Sequence, residues 1–187
     1  MNKKYKIIAL VGESGTGKDT ILNSLDSLPF EWNKIISCTT RPPRENEVNG
    51  KDYWFVDADY FDTHEFIETA VFNDWKYGTS YATLDPNKVN VGVFDPQGVR
   101  SLTNSSEVGE LVIYRVMTPP EIRLLRQLER EDNPNTKEIC RRFRTDKADF
   151  REFDKEFALE CRHIHNQDEF CLAEIYVELG RQIRSMN

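Results

Sequence analysis

Apolar positions along the chain fall into two rhythms, and they alternate. Residues 6–11 (KIIALV) form a short continuous apolar run, as in a parallel strand buried on both faces. After a glycine-rich stretch, Ile21, Leu22, Leu25 and Leu28 recur at helical spacing, which predicts a helix over 20–28. Residues 89–94 and 110–117 read as further strands. Thr118-Pro-Pro-Glu121 reads as a helix start, with Thr118 as N-cap, Pro119 in the first turn and Glu121 closing a capping box. That helix is expected to run to about Glu131, where Asp132-Asn-Pro-Asn135 breaks it. A second helix begins near Thr136 and carries Ile139, Phe143 and Phe150; the stripe Phe143, Phe150, Phe153 and Phe157 reads as core. A last strand over 158–164 and a last helix over 168–185 complete the pattern. Residues 37–80 differ: polar, turn-rich, with period-two alternation near Tyr53 to Val56, they read as an insert folded as a small sheet.

Alternating strands and helices predict an α/β fold with a parallel sheet and helices on both faces. The 187 residues suit one domain, with no internal repeat and no low-complexity tract. A net charge of −7, from 25 Lys+Arg and 32 Asp+Glu, argues against a nucleic-acid polymer as partner. Cys38, Cys140, Cys161 and Cys171 are scattered, without a CxxC pair, and read as reduced thiols of a cytoplasmic protein. No apolar stretch approaches membrane-spanning length. His163 and His165 share one face of a strand, but lack a third ligand that would make them a metal site. Trp32, Trp54 and Trp75 read as packing or substrate-edge residues.

The glycine-rich stretch is GESGTGKDT, Gly12 to Thr20. It has the G-x-x-x-x-G-K spacing of a phosphate-binding P-loop between a strand and a helix. Backbone N–H groups from Gly12, Glu13, Ser14, Gly15, Thr16 and Gly17 can form an anion nest at a helix N-terminus, and Lys18 can reach β- and γ-phosphates. Asp19 stands where a magnesium-binding hydroxyl is usual. Arg41 and Arg44 flank a rigid Pro-Pro turn, so two guanidinium forks can converge on one phosphate, and Tyr53 can add a hydroxyl.

The segment SCTTRPPRENEVNGKDYWF, residues 37–55, closely resembles the substrate-binding signature of guanylate kinases. The resemblance continues along the chain and implies a P-loop NTPase-type core (1–36 and 81–187), a nucleoside monophosphate-binding insert (37–80) and a short lid near 131–142. It implies that Glu68, in EFIE, reads guanine, that Tyr77 and Thr79, in YGTS, reach the phosphate and the base, and that Ser37 adds a base contact. Asp95, in FDPQG, falls on the substrate side; Asn166, in HNQD, resembles the turn that cradles adenine. Arg130 and Arg142 resemble the lid arginines, with Arg126 and Arg141 as substitutes because the spacing is slightly longer than the family's. The implied chemistry is transfer of the γ-phosphate of ATP to GMP or dGMP, with catalytic roles for Lys18, Arg44, Arg130 and Arg142, in a monomer or weak dimer. A kinase of broader deoxynucleotide range and a non-catalytic phospho-ligand module are the alternatives; the intact P-loop favours an enzyme.

The departures are specific. Thr69 follows Glu68 where the family has an aromatic residue, and the stretches 53–68 and 81–90 are short. Val93 replaces the first of two aspartates, whose acid helps position magnesium. Many nucleoside monophosphate kinases carry a threonine two residues after the lysine, so Thr20 is expected to supply the hydroxyl. Asp19 is expected either to point away or to hold a magnesium-bound water, replacing the charge missing at Val93.

Overall fold

The computed structural model describes residues 4–43, 47–72, 74–130 and 132–187. Five parallel strands form the main sheet: β1 (Tyr5–Val11), β2 (Asn33–Lys34), β7 (Val89–Phe94), β8 (Val108–Met117) and β9 (Cys161–His165), in the order β2-β7-β1-β8-β9. β1 is central and buried on both faces, which is why its sequence is a continuous apolar run. Ile7, Ala9 and Val11 pack under α3 (Pro96–Asn104) and α5 (Thr136–Glu156) with Val99, Leu102 and Phe153. Ile8 and Leu10 pack on the other face under α1 (Lys18–Ser24) and α6 (Glu169–Met186), with Ile21, Ile175 and Leu179.

Between β2 and β7 the chain builds a second, mixed sheet from β3 (Cys38–Thr39), β4 (Trp54–Phe55), β5 (Phe66–Phe72) and β6 (Trp75–Ser80), in the order β4-β3-β6-β5, with α2 (Ala58–Thr63) before β5. β3 pairs with β4 in parallel and with β6 antiparallel.

Three expectations need correction. Thr118 does not cap α4 (Pro120–Leu128): the N-cap is Pro119 with no side-chain bond, and the Thr118 hydroxyl instead donates to the Asn166 carbonyl at 2.8 Å. The competing partner wins because Thr118 is buried where β8 and β9 end together. Residues 158–160 are turn, not strand, and α5 runs to Glu156 because Phe150, Phe153 and Phe157 keep a helical stripe against the sheet. Phe143 stands apart from that stripe and lies under the Arg123 guanidinium, 4.7 Å from ring centroid to Cζ.

Candidate active site

All strands of a parallel sheet end on the same side, and there ligands gather in open α/β sheets. Here the residues just past β1, β7, β8 and β9 are Gly12, Asp95, Thr118 and Asn166. They form one edge. Thr118 and Asn166 both reach back to the carbonyl of Thr16, Asn166 through its side-chain amide at 2.8 Å.

The loop from Gly12 to Gly17 wraps this edge. Gly15 and Gly17 take left-handed φ of 82° and 84°, which a side chain would strain. A Cβ on Gly15 would also stand 2.6 Å from the Arg123 carbonyl. Lys18 opens α1 and folds over the loop, with Nζ donating to the carbonyls of Gly12 (2.6 Å) and Glu13 (3.0 Å). Burial pushes its pKa below the ordinary lysine value, against the attraction of Asp19, Asp146 and Glu13. Asp19 and Thr20 are exposed in the first turn of α1.

Glu13 and Ser14 are tied down by residues that sequence reasoning missed. Glu13 bonds Arg115 at 2.7 Å and lies 3.4 Å from Arg123. Burial would raise the Glu13 carboxyl, but the Arg115 bond and the two guanidinium charges outweigh it and hold the pKa below the usual value. Arg115 also bonds Asp154 at 2.8 Å and lies 4.1 Å over Phe150. Asp146 accepts the Ser14 N–H at 2.7 Å. A signal existed for Arg115: it is a lone cation inside the apolar run LVIYRVM, and such a charge needs a buried partner.

The small sheet carries a face made of one arginine and two tyrosines. Arg41 makes two bonds to Glu47, at 2.9 and 2.8 Å, and stacks on Tyr53, whose ring meets Tyr77 edge-on at 6.1 Å. The Tyr53 hydroxyl is pushed up to about 12, first by burial and then by the Asp19 carboxylate. Arg44 lies outside the described residues.

Beside that face is a half-buried acid, Glu68. Burial raises Glu68 to about 7; Thr79 opposes the rise and the Asp95 charge adds to it. The Thr79 hydroxyl is fully buried and has no partner in hydrogen-bonding geometry. Gly98 leaves room for both acids: a Cβ there would come 3.2 Å from Glu68 Oε2 and 3.4 Å from Asp95 Oδ1. Asp95 itself caps α3 through the Gly98 N–H at 2.6 Å. Ser37 is half-buried, its carbonyl accepting from Trp54 N–H.

The arginines after α4 are placed differently from one another. Arg130 is exposed just past the end of α4, whereas Arg141 and Arg142 share Glu138 in the first turns of α5, at 2.7 and 2.9 Å. Arg126 braces the loop, reaching the carbonyls of Asn166 (3.2 Å) and Gly15 (3.5 Å). Asn166 is buried and spends its amide on Thr16.

A glycine-rich loop on a parallel sheet, with a separate sheet that carries Arg41 over Tyr53 and the half-buried Glu68, is the arrangement of an ATP-dependent nucleoside monophosphate kinase. A family model described as guanylate kinase matches residues 4–183. Guanylate kinase of Malacoplasma penetrans is 34% identical over 163 residues, 80% of this chain and 81% of that protein. Human guanylate kinase is 32% identical over 189 residues, 95% of this chain and 93% of that protein. The crystal structure of guanylate kinase from Anaplasma phagocytophilum shares the fold, with a TM-score of 0.68 at 22% identity, over 98% of this chain and 87% of that one. The chain belongs to the guanylate kinase family.

Proposed function

We propose that this chain transfers the γ-phosphate of ATP to GMP or dGMP, with the insert residues as the acceptor site and the loop as the donor site. One observation supports the guanine assignment: Glu68 on β5 is paired with the buried Thr79 on β6, and its carboxylate lies beside Gly98 and Asp95 at the end of β7. A carboxylate there accepts from guanine N1–H and its 2-amino group, which adenine cannot offer. Ser37 and Thr79 complete the base pocket, with Asp95 at its rim. Arg41, Arg44, Tyr53 and Tyr77 take the acceptor phosphate.

The protein performs little covalent chemistry. An acceptor-phosphate oxygen attacks the γ-phosphorus, that bond forms as the bond to the β–γ bridging oxygen breaks, and the electrons pass to ADP. The chain's task is alignment and charge neutralisation. Lys18 exchanges the loop carbonyls for β- and γ-phosphate oxygens, and the backbone N–H groups of Gly15 to Lys18 hold the β-phosphate. Arg130 and Arg142, with Arg141 beside them, cover the transferring group, and Asn166 with Arg126 borders adenine. The lid near 131–142 excludes water. Asp19 and Thr20, hard oxygen donors exposed at the loop's mouth, fit a magnesium ion held largely through water. When bound, that ion supplies charge neutralisation on the β- and γ-oxygens.

Four free thiols support a cytoplasmic enzyme. Among the described residues no helix is long and apolar enough to cross a membrane. We expect a monomer or weak dimer acting on small nucleotides. The decisive test is a coupled assay of GMP, dGMP, AMP and dTMP with ATP and magnesium. Turnover confined to GMP and dGMP supports the assignment; comparable turnover of AMP or dTMP replaces it with a broad-range kinase, and no turnover with any replaces it with a binding module.

A further inference from the structure

We infer that Glu13, Arg123 and Asp146 form a positioning device that sets the shape of the phosphate loop from the helices α4 and α5; the inference rests on the proposed donor site. The grounds are geometric. Glu13 and Ser14 belong to no helix or strand, yet the Ser14 N–H and carbonyl and the Glu13 carbonyl and carboxylate are all held. The Ser14 N–H donates to Asp146 at 2.7 Å, and the Ser14 carbonyl accepts from Arg123 Nε at 3.0 Å and from Gln127 at 3.4 Å. The Glu13 carboxylate lies 3.4 Å from Arg123 and 2.7 Å from Arg115. Arg123 is the hub: it also lies 3.4 Å from Asp146, its ring partner is Phe143 of α5, and its side chain is only 7% exposed.

Buried ion networks contribute little to net stability, because desolvation offsets their attraction; what they supply best is a single geometry. Here the geometry is that of two residues immediately before the N–H groups that take the β-phosphate. The same two helices bracket the connection that carries Arg130, and α5 carries Arg141 and Arg142 in its first turns. The loop is thus held by the same two helices that flank Arg130 and carry Arg141 and Arg142. Misplacement of reacting groups by about 1 Å can cost on the order of a hundredfold in rate.

The test uses the isosteric changes Asp146→Asn and Glu13→Gln, singly and together, in the full chain. Each removes a charge and turns an amide donor towards Arg123 without changing volume. We expect kcat/KM for ATP to fall roughly ten- to a hundredfold in each single variant, with KM for GMP within about twofold of the parent. Because both act through Arg123, the double variant should lose at most about threefold more than the worse single one. Melting temperatures, and calorimetric ADP binding, are measured alongside. Unchanged ATP parameters, equal rises in KM for both nucleotides, or losses that multiply in the double variant would each overturn the proposal. If the parent chain itself phosphorylates no monophosphate, the donor-acceptor reading fails. The cluster is then judged on ADP affinity alone: it stands if both variants weaken ADP at least tenfold, and falls if they do not.

Discussion

Asn166 donates its side-chain amide to the Thr16 carbonyl at 2.8 Å, joining the turn after β9 to the phosphate loop 150 residues earlier. Gly17 sits under that amide with a φ of 84°, and a Cβ there would collide with Asn166 Nδ2. Gly17→Ala therefore combines backbone strain of about 1–2 kcal/mol with displacement of Asn166. KM for ATP should rise at least about tenfold, equivalent to about 1.4 kcal/mol, while KM for GMP stays near the parent value. Steady-state kinetics in both substrates check this.

Glu68→Gln should cost on the order of 2–4 kcal/mol in kcat/KM for GMP, since an amide donor would then face a guanine donor in a buried pocket. The GMP-to-AMP ratio of kcat/KM should collapse, because adenine no longer meets an unpaired carboxylate. KM for ATP should change little. An intact GMP-to-AMP ratio in the variant would mean that Glu68 does not read the base.

The raised pKa of Glu68 gives a pH signature of definite sign. Recognition of guanine needs the carboxylate, so kcat/KM for GMP should rise with pH through about 7. Ionisation of the substrate phosphate, near pH 6, adds a limb of its own. The comparison is therefore with Glu68→Gln, which keeps the phosphate limb and loses the one at about 7. Stability moves the other way. The folded chain holds this proton more tightly than the unfolded one, so unfolding free energy falls as pH rises from 4.5 to about 7. The expected loss is on the order of 1–3 kcal/mol, and Glu68→Gln should escape it. Urea denaturation of both proteins at roughly pH 6 and roughly pH 8.5 measures the difference.

Asp19 and Val93 separate magnesium binding from packing. Asp19 is exposed at the loop's mouth, whereas Val93 is partly buried and packs against the core under α1 and α6. Asp19→Asn should raise the magnesium concentration for half-maximal ATP binding severalfold, by titration with a fluorescent ATP analogue. Val93→Ala should leave that concentration unchanged and lower stability by about 1 kcal/mol. Equal, small effects would remove Asp19 from the metal's surroundings.

Arg41 offers a contrast to Glu68. It is held by Glu47 with both side chains nearly buried, 12% and 10% exposed, so its fork is already oriented before any phosphate arrives. Arg41→Ala should weaken GMP, dGMP and any accepted AMP by similar factors, on the order of tenfold or more, through lost phosphate contacts. A loss confined to guanine nucleotides would assign Arg41 to the base.

The sequence by itself determined the strand-loop-helix around Gly12 to Lys18 and the central strand. The reason is that these signals are local. A run such as KIIALV is apolar because both faces of β1 are covered, and the spacing of Gly12, Gly17 and Lys18 is set by a loop that closes within nine residues. What only the tertiary structure decided is where long-range partners take over local ones. Thr118 has the sequence of a helix cap, but the joint ends of β8 and β9 offered its hydroxyl the carbonyl of Asn166 instead. The side-chain amide of Asn166 likewise goes to the Thr16 carbonyl, 150 residues away. Glu13, Arg115, Arg123, Asp146 and Asp154 are scattered over two helices, a strand and a loop, and no spacing rule connects them. They meet because a parallel sheet delivers all its strand ends to one edge, and a charge buried at that edge must find its opposite from whichever element packs there.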